Sequence, residues 1–226
     1  MNEITNNLRR AVESEMLAGV HEIYVPEEAS VGATETLESL ESRVKTCDEC
    51  ALAASRNNVV FGEGDPQADL VFIGEAPGRD EDRQGRPFVG RAGQLLTKII
   101  ESIGLSREDV YICNILKCRP PGNRNPHPSE IAVCSPYLVR QIEIIKPRVI
   151  CALGKFASQT LLASETPISR LRGRFHDYKG IQLMPTYHPA YLLRNPSGKN
   201  DVWHDMKAIA KVLGLEIPER RSHAKK

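Results

Sequence analysis

Four short apolar runs punctuate the chain, each bounded by charged, glycine or proline positions: DLVFIG (69–74), VYICNIL (110–116), RVICALG (148–154) and IQLMPTY (181–187). Continuous runs of this length read as strands buried on both faces. Between the first three lie QLLTKIIESI and SEIAVCSPYLVRQIEII, whose apolar residues recur at three- and four-residue steps and predict helices. Ser129 supplies the expected start signal for the second of these. KFASQTLLAS and DVWHDMKAIAKVL predict further helices, with Trp203 as a core anchor, and RLRGRFHDYKG between them reads as a basic turn or hairpin. Strands alternating with helices predict an α/β fold: a parallel sheet covered on both faces, with binding loops at the strand C-terminal ends.

The first third of the chain is patterned differently. Ile4, Leu8, Val12 and Met16 recur at four-residue steps and predict a short amphipathic helix, while PEEASVGATE (26–35) has the composition of a linker. Leu37, Leu40 and Val44 then predict a helix leading into Cys47. The expected organisation is an acidic arm over residues 1–36, one domain over 37–216 and a basic tail over 217–226. Composition supports one domain, since 226 residues of 41% hydrophobic content can bury an ordinary core. No apolar run approaches a membrane span, and MNEITNNLRRAVESEM lacks a signal-peptide core, so a soluble cytoplasmic protein is expected.

Charge adds a second asymmetry. The overall balance is +1, yet residues 1–41 hold nine Glu against Arg9 and Arg10, a net −7, leaving +8 on the rest. Such a division fits a body that contacts nucleic acid. The arm is then expected either to contact the basic, nucleic-acid-binding face of its own body, to dock another protein, or to remain a solvated tail.

Of six cysteines, Cys113 and Cys151 lie inside strand runs and read as small buried residues. Cys47 and Cys50 form a CxxC before the first strand, Cys118 follows the second, and Cys134 comes after fifteen intervening residues. Without an export signal these four read as one metal site and not as disulfides. Four thiolates satisfy either zinc or an iron–sulfur cluster, and spacing alone does not separate the two.

The most informative stretches are GEAPGRDEDRQGRPFVGRAGQLL, NILKCRPPGNRNPHP and HPAYLLRNP, which follow the first, second and fourth strand runs. Together they resemble the family 4 uracil-DNA glycosylases over about residues 44–214, with the motifs in the family's order. That resemblance implies a three-layer αβα fold with a central four-stranded parallel sheet. It implies excision of uracil from DNA in base excision repair, with uracil-containing DNA as partner and the protein acting as a monomer. It also implies a structural [4Fe–4S] cluster on Cys47, Cys50, Cys118 and Cys134, clamping the 118–134 loop against the N-terminal helix.

Residue types in these motifs suit that chemistry. Phe88 offers a face on which a flat base stacks, and Asn114 offers an amide with both donor and acceptor. Gly74 and Ala76, being small, let the backbone at Glu75 come close to the base. By the resemblance, Phe88 and Asn114 bind uracil, and the backbone around Glu75 and Ala76 lines the pocket. Hydrolysis of an N-glycosidic bond calls for negative charge at the sugar and a donor at the uracil oxygen. Glu75 and His188 are the candidates for these roles, with Glu81 as second carboxylate. Arg79 and Asp80 depart from the family's usual glutamates. Tyr191, Leu192, Leu193 and Arg194 read as an apolar wedge with a cationic shoulder. Arg119, Arg124 and Arg172, with Arg170 and Arg174, are expected phosphate contacts. Two other readings are a relative that traps uracil-DNA covalently and an iron–sulfur electron carrier. The first usually carries a basic, histidine-containing insertion where this chain has only His127 between prolines; the second leaves HPAYLLRNP unexplained.

Overall fold

A computed structural model describes residues 35–218. The helix expected through Ile4–Met16, most of the linker and all but the first two residues of the basic tail lie outside the described residues. Helix α1 (Leu37–Lys45) opens on a reciprocal cap: Ser39 N–H donates to Thr36 Oγ1 at 3.2 Å, and Thr36 N–H donates to Ser39 Oγ at 3.0 Å. Two orphan amides of the first turn are thereby satisfied. Leu37, Leu40 and Val44 face inward as their spacing requires.

Strands β1 (Glu63–Gly64), β2 (Leu70–Gly74), β3 (Tyr111–Asn114), β4 (Val149–Leu153), β5 (His176–Tyr178) and β6 (Ile181–Thr186) form one sheet in the order β1-β3-β2-β4-β6-β5. The inner four are mutually parallel, as expected. Two short edge strands widen the sheet: β1 pairs antiparallel with β3, and β5 pairs antiparallel with β6. The basic segment before β6 thus does form a hairpin, turning at Lys179 and Gly180 after a short helix over Ile168–Leu171.

Helices α2 (Arg79–Gln84), α3 (Arg91–Glu101), α4 (Pro128–Ile145), α5 (Gly154–Leu161) and α6 (Ile168–Leu171) lie between strands, and α7 (Pro189–Arg194) and α8 (Lys199–Leu213) follow β6. Helix α4 starts earlier than Ser129 suggested. His127 occupies the cap position and Pro128 the first turn, where its missing N–H is no loss.

Alternate residues of each central strand feed opposite cores, which explains why the runs are apolar throughout. Val71 and Ile73 of β2, with Ile150 and Ala152 of β4, pack towards α1 and α4. Leu70, Phe72, Val149 and Cys151 pack towards α3 and α8. Cys113 and Cys151 are buried as expected, at 1% and 0% exposure, and Trp203 sits partly buried at the margin of the second core. Because β3 and β4 flank β2 on opposite sides, the β2–β3 and β3–β4 crossovers run in opposite directions across the sheet. A crevice opens where they diverge, at the strand C-terminal ends.

Candidate functional site

Into that crevice run the ends of β2, β3 and β6, carrying Gly74–Glu75, Asn114 and His188. A cavity of ≈ 660 Å³ is lined by Glu75, Ala76, Phe88, Asn114, Arg124 and His188 among others. Gly74 makes this meeting possible. A Cβ there would lie 2.3 Å from Asn114 Oδ1 and 2.5 Å from the Phe88 ring, so only glycine lets the amide and the ring converge. Asn114 is 1% exposed, and among the described residues no donor reaches its Oδ1. A buried amide oxygen left unpaired costs about 1–3 kcal/mol.

Phe88 has a φ of +53°, a conformation unfavourable for a bulky side chain. It is held from two sides. Glu81 Oε1 accepts from Val89 N–H at 2.9 Å and Gly90 N–H at 3.0 Å. Arg107 donates to Pro87 O at 2.8 Å and Phe88 O at 3.2 Å, and is itself paired with Glu63. Glu81, read from the sequence as a second carboxylate for the chemistry, is thus engaged in fixing the aromatic loop. Its contact with the Phe88 loop was not legible from spacing, because the partners are backbone groups.

His188 caps α7. Its Nδ1 accepts from Ala190 N–H at 3.1 Å, which places the ring proton on Nε2. Burial, reinforced by the positive charge of Arg194 and opposed by Glu81, lowers its pKa from 6.5 to about 4. At neutral pH it is therefore an uncharged donor. Its ring lies 5.6 Å from that of Phe88, centroid to centroid. Burial holds Glu75 above the ordinary carboxylate pKa, making it a better proton acceptor than a solvated glutamate.

A sequence profile of the uracil DNA glycosylase superfamily matches residues 61–207, which contain every one of these side chains. The chain belongs to the uracil-DNA glycosylase superfamily. It is 50% identical over 194 residues to a type-4 uracil-DNA glycosylase of Thermotoga maritima, covering 85% of this chain and 96% of that protein. It is 45% identical over 192 residues to a type-4 uracil-DNA glycosylase of Archaeoglobus fulgidus, covering 81% and 96%. Similarity extends to a type-5 uracil-DNA glycosylase of Pyrobaculum aerophilum, at 34% over 146 residues, or 57% and 64% of the two chains.

Other residues singled out in this family member divide by environment. Tyr191 and Leu193 are exposed at 39% each, and Tyr191 and Arg194 line the cavity. Leu192 is not part of any wedge: it is 1% exposed and packs inward in the second core, because a helix places neighbours on different faces. Arg172 is also withdrawn from the expected phosphate contacts. Its guanidinium donates to buried Asp205 at 2.7 and 3.1 Å and to Asp201 O at 2.6 Å, bracing α6 against α8. Arg119 and Arg124 do line the cavity; Arg124 makes a bidentate pair with Glu130 at 2.6 and 2.9 Å, pinning the loop before α4. Arg170 and Arg174 are exposed away from that lining.

Cys47, Cys50, Cys118 and Cys134 all carry free thiols and line one second cavity between α1 and α4. Arg56 donates to Cys118 Sγ at 3.4 Å and Lys117 N–H to Cys134 Sγ at 3.3 Å. Among the described residues no group of three or more His, Cys, Asp or Glu side chains is arranged to hold a single metal ion. No described helix is long and apolar enough to cross a membrane.

The His188 geometry makes a pH prediction. In nitrogen NMR, His188 is expected to show a protonated Nε2 and bare Nδ1 at pH 7, and to remain neutral down to about pH 5 before titrating near 4. A midpoint near 6.5, or the opposite tautomer, contradicts the assignment.

Proposed function

We propose that this protein flips uracil out of DNA and hydrolyses its N-glycosidic bond, releasing free uracil and leaving an abasic site. The observation that carries the reading is the buried, unpaired Oδ1 of Asn114 beside the Phe88 ring. An extruded uracil stacks on Phe88 and satisfies that oxygen with its N3–H, while the Asn114 amide nitrogen donates to O4. Cytosine presents the opposite donor and acceptor pair and leaves the oxygen unsatisfied. The names carried by the relatives point to the same substrate.

As the bond from C1′ to N1 breaks, its electron pair leaves with uracil and the sugar becomes cationic. Neutral His188 donates from Nε2 to uracil O2, where negative charge gathers, and no ionisation of the ring is needed. The Glu75 carboxylate faces the sugar cation and aligns water for attack on C1′. The water oxygen bonds to C1′ and its proton passes to Glu75, to be returned to solvent or to the departing base. Glu81 acts at one remove, by holding Phe88. Tyr191, Leu193 and Arg194 fill and flank the gap left in the duplex, and Arg119 and Arg124 meet phosphate.

The four cysteines fit a [4Fe–4S] cluster: four free thiols share one cavity, and donors already point at two of the sulfurs, as is common at thiolate-ligated iron. Bound there on Cys47, Cys50, Cys118 and Cys134, the cluster would tie the segment after α1 to the end of β3 and to α4, and no redox step enters the hydrolysis.

Two sets of variants test the reading. Asn114→Ala and His188→Ala are expected to fold and keep their iron yet release uracil at least about 100-fold more slowly in single turnover; unchanged rates in both would remove the site assignment. Cys118→Ala is expected to lower iron content and melting temperature together, whereas a variant with full iron and normal melting shows that Cys118 is not a ligand.

A further inference from the structure

Lys117 is a fully buried lysine, 1% exposed, whose charged end lies in the protein interior. Its Nζ donates to the main-chain oxygen of Asn114 at 2.7 Å and to Gln141 Oε1 at 2.5 Å. Gln141, itself 0% exposed, donates onward to Phe61 O at 3.0 Å and to the Tyr111 hydroxyl at 3.2 Å. An interior ammonium is expensive to bury, and a methionine of similar length would fill the same space more cheaply. What the ammonium adds is a grip on one peptide.

Asn114 is the last residue of β3, where the sheet no longer supplies acceptor and donor to every backbone group. The following amide, Ile115 N–H, donates to Gly74 O at 3.0 Å. The Asn114 carbonyl on the same peptide has Lys117 as its partner. Because that peptide is planar, bonds at both of its ends set the Asn114 backbone angle and hence the direction in which its amide leaves the strand. Lys117 in turn precedes Cys118, and its own N–H donates to Cys134 Sγ.

We propose that Lys117 is a positioning residue for base excision: its buried ammonium fixes the Asn114 peptide and so aims the Asn114 amide into the pocket, tying that aim to the cysteine loop. The inference rests on Asn114 being the base-reading side chain. A double-mutant cycle in the full-length, iron-loaded protein tests it, with single-turnover uracil release as readout and iron content and melting temperature measured alongside. Lys117→Met is expected to slow release about 10- to 100-fold in the native background, the range for a lost charged hydrogen bond. In the Asn114→Ala background it is expected to cost less than about threefold, since the side chain it aims is gone. A merely structural role costs the same in both backgrounds, and that additive result overturns the proposal. Gln141→Leu, which frees the far side of the ammonium, carries the same cycle should Lys117→Met fail to fold. Wild-type rates in Asn114→Ala alone overturn the reading of Asn114 and this inference together; a slow Asn114→Ala with an additive cycle overturns only the role of Lys117.

Discussion

The structure turns on one polar atom. Asn114 Oδ1 is enclosed without a hydrogen-bond partner among the described residues, at the point where two strands, an aromatic loop and a histidine cap converge. The groups around it leave it without a donor while lining the same cavity. Gly74 removes the Cβ that would strike it, Phe88 walls one side with a ring that makes no hydrogen bond, and His188 presents an N–H towards the cavity instead of a charge. Filling the position with an apolar side chain would remove the unpaired oxygen.

On the proposed reading, rigidity around that atom is the second requirement, since a mobile amide could turn to read cytosine. Phe88 is held at an unfavourable φ by Glu81 on one side and Arg107 on the other. Strain of this kind, of order 1–3 kcal/mol, persists only where neighbours over-determine the backbone.

Much of this was legible in the sequence, for identifiable reasons. Apolar runs marked the four central strands because each is buried on both faces, and the motifs at their ends located Glu75, Asn114 and His188. Edge strand β1 escaped notice, and β5 was anticipated only as part of a turn or hairpin: they are two and three residues long and partly polar, too short to show a period. Leu192 and Arg172 were misplaced for a different reason. A six-residue helix has an inward side, and an arginine in a basic stretch can be claimed by a distant aspartate, here Asp205, 33 positions away. The supports of the site, Glu81 to backbone amides and Lys117 to a backbone oxygen, leave no pattern at all, because backbone acceptors and donors have no residue identity.

The central claim is that Asn114 Oδ1 is reserved for the edge of a pyrimidine. A crystal structure of the protein with free uracil tests it most directly. The account predicts uracil face-on to Phe88 with its N3 about 3 Å from Asn114 Oδ1 and its O2 towards His188 Nε2. Uracil seated elsewhere in the cavity, with that oxygen still unpaired, would contradict it.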